Sequence, residues 1–230
     1  MWECKTRAHA FVIIALLASA ARASAEPPRL NLVWVDPTGI AAHTFDVVGA
    51  ESRALLAPTG ADVTWTEAPR GAVVGPESLV VIAVPTYSTG ANRERHVMGS
   101  TRMVADAALA VWVFPDQVAW ALGLDLERRR SWSKHAERNF AVAVARVATH
   151  EVIHALGALG HSAGGLMAAR LDHNALTARA LRVDLGTVAA LRQAFDRGAL
   201  TADGSWTPSL LRGNPVRAAA ELMAVPGPNR

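Results

Sequence analysis

From Leu30 to Val35 the chain reads Leu-Asn-Leu-Val-Trp-Val, a short apolar run rich in strand formers that Asp36-Pro37-Thr38-Gly39 ends with turn chemistry. From Ala41 to about Leu56 the apolar residues return at helical spacing. Phe45, Val48, Leu55 and Leu56 fall toward one side, and Asp46, Glu51 and Arg53 toward the other, which predicts a covering helix ended by Pro58-Thr59-Gly60. Ala61 to Thr66 alternates Val63 and Trp65 with polar residues, a half-buried strand. Ser78 to Val84 is continuously apolar, a strand buried on both faces. A short strand around Val97 to Val104 contains Gly99 and suits a sheet edge, and Leu109 to Phe114 is a last apolar run closed by Pro115-Asp116. The order predicts an α/β (α+β) domain with a mixed, mostly parallel sheet of about five strands and helices against it.

Beyond the sheet, Lys134 to Leu156 lacks Gly and Pro and is filled with Ala, Val, Leu and Arg, which predicts one long, largely buried helix. Ser131 or Ser133 is placed to cap its start and Gly157 to end it. Arg128, Arg129, Arg130, Lys134 and Arg138 cluster at its entrance; such a cluster reads as a solvated face without a function. Thr187 to Phe195 places Val188, Leu191 and Phe195 at helical spacing, a C-terminal helix. The tail from Thr201 to Arg230 is interrupted by Pro208, Pro215, Pro226 and Pro228 and is expected to be loosely ordered.

Composition changes this picture mainly at the N-terminus. Lys5 and Arg7 precede an apolar stretch from Phe11 to Leu17, and Ala23-Ser24-Ala25 is a small-residue cleavage site. These features predict a signal peptide over 1–25, a domain over 26–200, and a secreted or periplasmic chain without a membrane span. The whole chain carries 23 Lys and Arg against 20 Asp and Glu, a net +3. Removing Lys5, Arg7 and Arg22 together with Glu3 leaves +1, so a basic nucleic-acid surface is not indicated. The single cysteine, Cys4, lies in the leader, which excludes a disulfide, a cysteine nucleophile and a thiolate zinc site from the exported chain. With 51% hydrophobic residues, there is enough apolar material for one core.

The candidate chemistry is His150-Glu151-Val152-Ile153-His154 near the end of the long helix. Two imidazoles four residues apart share one helical face and can bind one zinc ion. Glu151, between them in sequence, can act as general base without being a ligand. A catalytic zinc site needs a third protein ligand, for which His161 is the strongest downstream candidate, with Asp172 and His173 as alternatives. Gly157 lets the chain leave the helix in a left-handed turn, and Gly160 adds freedom for His161 to come back beneath the metal. A glutamate ligand is disfavoured because no Glu occurs between Glu151 and Glu221. His43, His96 and His135 have no ligand spacing, and no Asp-rich calcium loop is present.

His150-Glu151-x-x-His154-Ala155-Leu156-Gly157 followed by Gly160-His161-Ser162 resembles the metzincin zinc metalloproteases, especially the matrixin branch. His161 comes four residues after Gly157, one more than that family's usual spacing, and Gly164-Gly165-Leu166-Met167 resembles its Met-turn. The motif-level likeness spans His150 to Met167. The resemblance implies a zincin-like fold with an antiparallel edge strand, a Met-turn under the zinc and a C-terminal helix. It also implies a secreted zinc endopeptidase acting on peptide or protein substrates. In that reading a bound zinc would serve as Lewis acid for the scissile carbonyl, and Glu151 would take a proton from the attacking water and return it to the leaving amine. An extended peptide would add to the edge strand near Gly99 and Ser100. No Tyr follows Met167, so the tyrosine that assists zinc in the astacin-like branch has no counterpart. An exported zinc-holding binding or scaffold domain without peptidase activity is the alternative. Substrate preference and oligomeric state are not encoded in these motifs.

Overall fold

The computed structural model describes residues 27–69, 72, 74–75, 78–86, 97–104, 107–158, 160–197, 199–200 and 206–207. The signal peptide expected over 1–25 and His96 lie outside the described residues, as does the tail from 201 onward apart from Trp206–Thr207. Five strands make the main sheet: β1 (Arg29–Val35), β2 (Asp62–Glu67), β3 (Ser78–Ala83), β4 (Gly99–Val104) and β5 (Ala107–Val113). Their spatial order is β2-β1-β3-β5-β4; β1, β2, β3 and β5 run parallel, and β4 pairs antiparallel to β5 at one edge. The sheet is therefore mixed and mostly parallel.

Side-chain alternation divides the core between the two faces of the sheet. Leu32, Trp34, Leu79, Val81, Val111 and Val113 belong to the large cluster, which also receives α1 (Phe45–Leu56) and the long helix α3 (Lys134–Ala155). On the opposite face Val33, Val35, Val80, Ile82 and Ala110 form a smaller cluster, covered by Ala68, Val74, Val84 and Trp112. Burial on both faces is why β1 and β3 are nearly continuous apolar runs. Where α1 meets α3, Val48, Gly49, Ser52, Leu55 and Leu56 turn inward, and the Ser52 hydroxyl hydrogen-bonds Thr149 across 2.8 Å.

The α1 helix begins at Phe45, not Ala41. The Asp36 carboxylate accepts from the Ala41 amide at 2.9 Å, and His43 has φ 64°, a left-handed conformation that a right-handed helix cannot continue. Arg129 then fastens the turn, donating to the Ile40 carbonyl at 2.8 Å and the Ala42 carbonyl at 2.7 Å. Its guanidinium also meets Glu137 at 3.0 Å and lies over the Trp132 and Phe140 rings. One member of the basic cluster is thus a structural clamp and not part of a solvated face.

Two short helices carry no strong periodic signal. Pro115 opens α2 (Pro115–Ala121), where its missing amide is harmless, and Asp172 caps α4 (His173–Thr177), accepting from the Ala175 amide at 2.8 Å. The last helix, α5 (Leu185–Arg197), buries Val188, Leu191 and Phe195. Beyond it β6 (Ala199–Leu200) and β7 (Trp206–Thr207) pair antiparallel. Among the described residues, no helix is long and apolar enough to cross a membrane.

Candidate metal centre

Ser133 starts α3, its hydroxyl oxygen accepting from the Ala136 amide at 3.1 Å, while the Ser131 hydroxyl bonds the Arg128 carbonyl instead. The helix buries Phe140, Val144, Val147, Ala148, Val152 and Ile153, which fixes its rotation against the sheet. That rotation sends His150 and His154 into a groove of about 680 Å³ between β4 and residues 168–171. At the helix end the Gly157 amide bonds the His154 carbonyl, and Gly157 has φ 96°, a conformation open to glycine and strained for other residues. The chain reverses there and brings His161 back beside the helix.

His150, His154 and His161 form one cluster, each offering one nitrogen, all within 4.8 Å of one another. The Nε2 of His154 lies 3.0 Å from Nε2 of His150 and 3.3 Å from Nε2 of His161. His150 Nδ1 donates to the Leu166 carbonyl at 2.7 Å, and His154 Nδ1 donates to the Ala158 carbonyl at 2.8 Å. A carbonyl only accepts, so in both neutral rings the proton sits on Nδ1 and Nε2 presents a lone pair. Converging lone pairs repel unless a cation lies between them, and outer carbonyls that fix the tautomer are the usual support of metal-binding histidines. The three histidines can hold a metal ion.

Met167 is fully buried in the segment that supplies this support. Its carbonyl accepts from the Ser162 amide at 2.8 Å, and the Leu166 amide bonds the Arg182 carbonyl at 2.9 Å. The Leu166 carbonyl, next to Met167, is thereby aimed at His150. Asp172 and His173 are not drawn into the cluster: the first caps α4 and the second is exposed at its start.

Glu151 is half-buried on the β4 side of the groove. Thr101 Oγ1 lies 2.7 Å from the Glu151 carbonyl and 3.0 Å from Glu151 Oε2, two acceptors that share its one proton. Gly99 and Ser100 line the same wall.

Burial pushes the His150 imidazole down to about 4; repulsion from His154 and His161 adds to the shift, and the Leu166 carbonyl opposes it. His154 is lowered for the same leading reason, opposed by the Ala158 carbonyl. Both rings are neutral at neutral pH, the form that binds metals. For the metal-free protein a pH dependence follows from these shifts. Unfolded, His150 takes up its proton near 6.5; folded, it does so only near 4, so the stability from keeping it neutral is present above 6.5 and lost as pH falls toward 4. The loss is on the order of 3 kcal/mol. Urea unfolding of metal-free protein across that window should show this decline, and His150→Asn should flatten it; parallel profiles for the two would contradict the assignment.

Two contributors escape a sequence reading. Arg146, 3% exposed on its side chain, donates from Nε to Glu51 at 2.9 Å and to the carbonyls of Ala175, Leu176 and Ala178 at 2.9, 2.9 and 2.7 Å. Glu51, assigned to the polar side of its helix, faces this buried arginine. The available signal was an arginine among alanines and valines four residues before His150. Thr101 carried no signal, since only the packing of β4 on α3 brings it to Glu151. Comparisons with known protein families, with curated proteins and with solved structures find no match for this chain.

Proposed function

We propose that this chain is an exported zinc-dependent endopeptidase of the metzincin kind. The reading is carried by one observation: three Nε2 atoms converge, those of His150 and His154 with their tautomers fixed from behind, and Glu151 stands beside them in a groove bordered by an antiparallel edge strand. Zinc bound tetrahedrally at about 2.0–2.1 Å from each nitrogen separates its ligand atoms by about 3.3 Å. The separations of 3.0 and 3.3 Å fit, so His150, His154 and His161 would hold the ion. Three imidazoles without a thiolate match a catalytic zinc that keeps a position for the reaction. When bound, the zinc supplies a Lewis acid for the scissile carbonyl and makes water acidic enough to react at neutral pH.

The remaining chemistry belongs to the chain. The Glu151 carboxylate accepts a proton from the attacking water and passes it to the leaving nitrogen. Among the described strands β4 ends the sheet, and its outer edge would offer main-chain groups near Gly99 and Ser100 to an extended peptide. The buried Met167 is assigned the role of the Met-turn that Gly164-Gly165-Leu166-Met167 resembles.

Metal analysis of purified protein beside His161→Ala tests the centre. The expected result is one zinc per chain in the wild type and an affinity lowered by more than about 100-fold in the variant, beyond what losing an outer partner costs. Zinc-loaded wild type should cleave members of a diverse peptide library, lose this activity to a chelator and regain it with zinc. Zinc bound with no cleavage would favour an exported zinc-holding binding domain; no zinc at all would remove both readings.

A further inference from the structure

We propose that the edge strand β4 positions the Glu151 carboxylate, Gly99 by clearing the space that the side chain occupies and Thr101 by holding it. The proposal rests on the reading of Glu151 as the proton carrier. Gly99 and Thr101 are two residues apart on one strand and so point to the same face, the face that lies on α3. A Cβ built on Gly99 would stand 2.6 Å from Glu151 Cγ, 2.9 Å from Glu151 Oε1 and 2.9 Å from Val147 Cγ1. Val147 is a buried residue one turn before Glu151 on the same helix, so the backbone of β4 is seated directly against this helical face.

One position further along that face, Thr101 Oγ1 directs its one proton between two Glu151 acceptors, the main-chain carbonyl at 2.7 Å and Oε2 at 3.0 Å. The one hydroxyl proton is shared between the two acceptors, so Thr101 ties Oε2 to the main chain of its own residue. A flexible glutamate is thereby confined between a missing methyl and a fixed donor, on the wall of the groove that carries the histidines. The same strand that would receive the substrate also sets the carboxylate, so both are referred to one rigid element.

Thr101→Val keeps the shape and removes the hydroxyl; Thr101→Ser restores it. With zinc content unchanged in both, Thr101→Val should lower kcat by about 10- to 100-fold with KM little changed, since a misplacement of about 1 Å is enough for such losses. Thr101→Ser should recover most of it. Gly99→Ala should give a comparable kcat loss by displacing the side chain. A readout independent of turnover is the coupling in unfolding between Thr101→Val and Glu151→Ala. The double variant should depart from additivity by at least about threefold in the unfolding equilibrium constant. Additive effects, or full kcat in Thr101→Val, would overturn the proposal. Coupling in a zinc-loaded wild type that cleaves nothing would leave the hold on Glu151 standing and remove the endopeptidase reading.

Discussion

Replacing Glu151 by Gln is expected to lower kcat/KM on a cleaved peptide by about 10²- to 10⁴-fold, the usual worth of a positioned general base. The amide is nearly the size of the carboxylate and can still accept from Thr101 Oγ1, which bonds Oε2 at 3.0 Å. It cannot accept the proton of the attacking water. Because Glu151 is not in the histidine cluster, zinc content should be unchanged, which separates loss of the base from loss of the metal. The measurement is steady-state hydrolysis with metal content determined on the same sample. Activity within a few-fold of wild type would remove Glu151 from the chemistry even if the zinc is present.

Arg146→Met should destabilise the fold by about 3 to 5 kcal/mol, the range for removing one partner of a buried charged network. The guanidinium is 3% exposed and joins α1, α3 and the end of α4 through Glu51 and three carbonyls. Removing it strands carbonyls that no longer have an internal donor. Glu51 is 25% exposed and can recruit water, so Glu51→Gln should cost only about 1 kcal/mol. Arg146→Lys should not rescue, because one ammonium cannot reproduce a fork that serves four acceptors in fixed directions. Urea unfolding at fixed metal content would measure all three variants. A loss below 1 kcal/mol in Arg146→Met would show that the segment around Ala175 to Ala178 finds other donors. The segment follows the groove wall at 168–171, so its loosening should also be felt there as faster hydrogen exchange.

The chain's own pattern determined the strands, the long helix and the two histidines on one helical face, because burial and helical pitch repeat at fixed local spacing. The runs at Leu30 to Val35 and Ser78 to Val84 are apolar because both faces of their sheet are covered, and that requirement is visible residue by residue. The start of α1 was not legible, since the left-handed turn at His43 that delays it is held by Arg129, which binds the carbonyls of Ile40 and Ala42 from 89 and 87 residues away. The same holds for the pairing of Arg146 with Glu51 across 95 positions and of Thr101 with Glu151 across 50. Sequence alone favoured His161 as the third donor and kept Asp172 and His173 as alternatives. The turn at Gly157 and the capping work of Asp172 place only His161 with the other two. Local spacing fixes which face of an element is apolar; which distant group meets that face depends on register and packing, and those exist only once the chain has closed on itself.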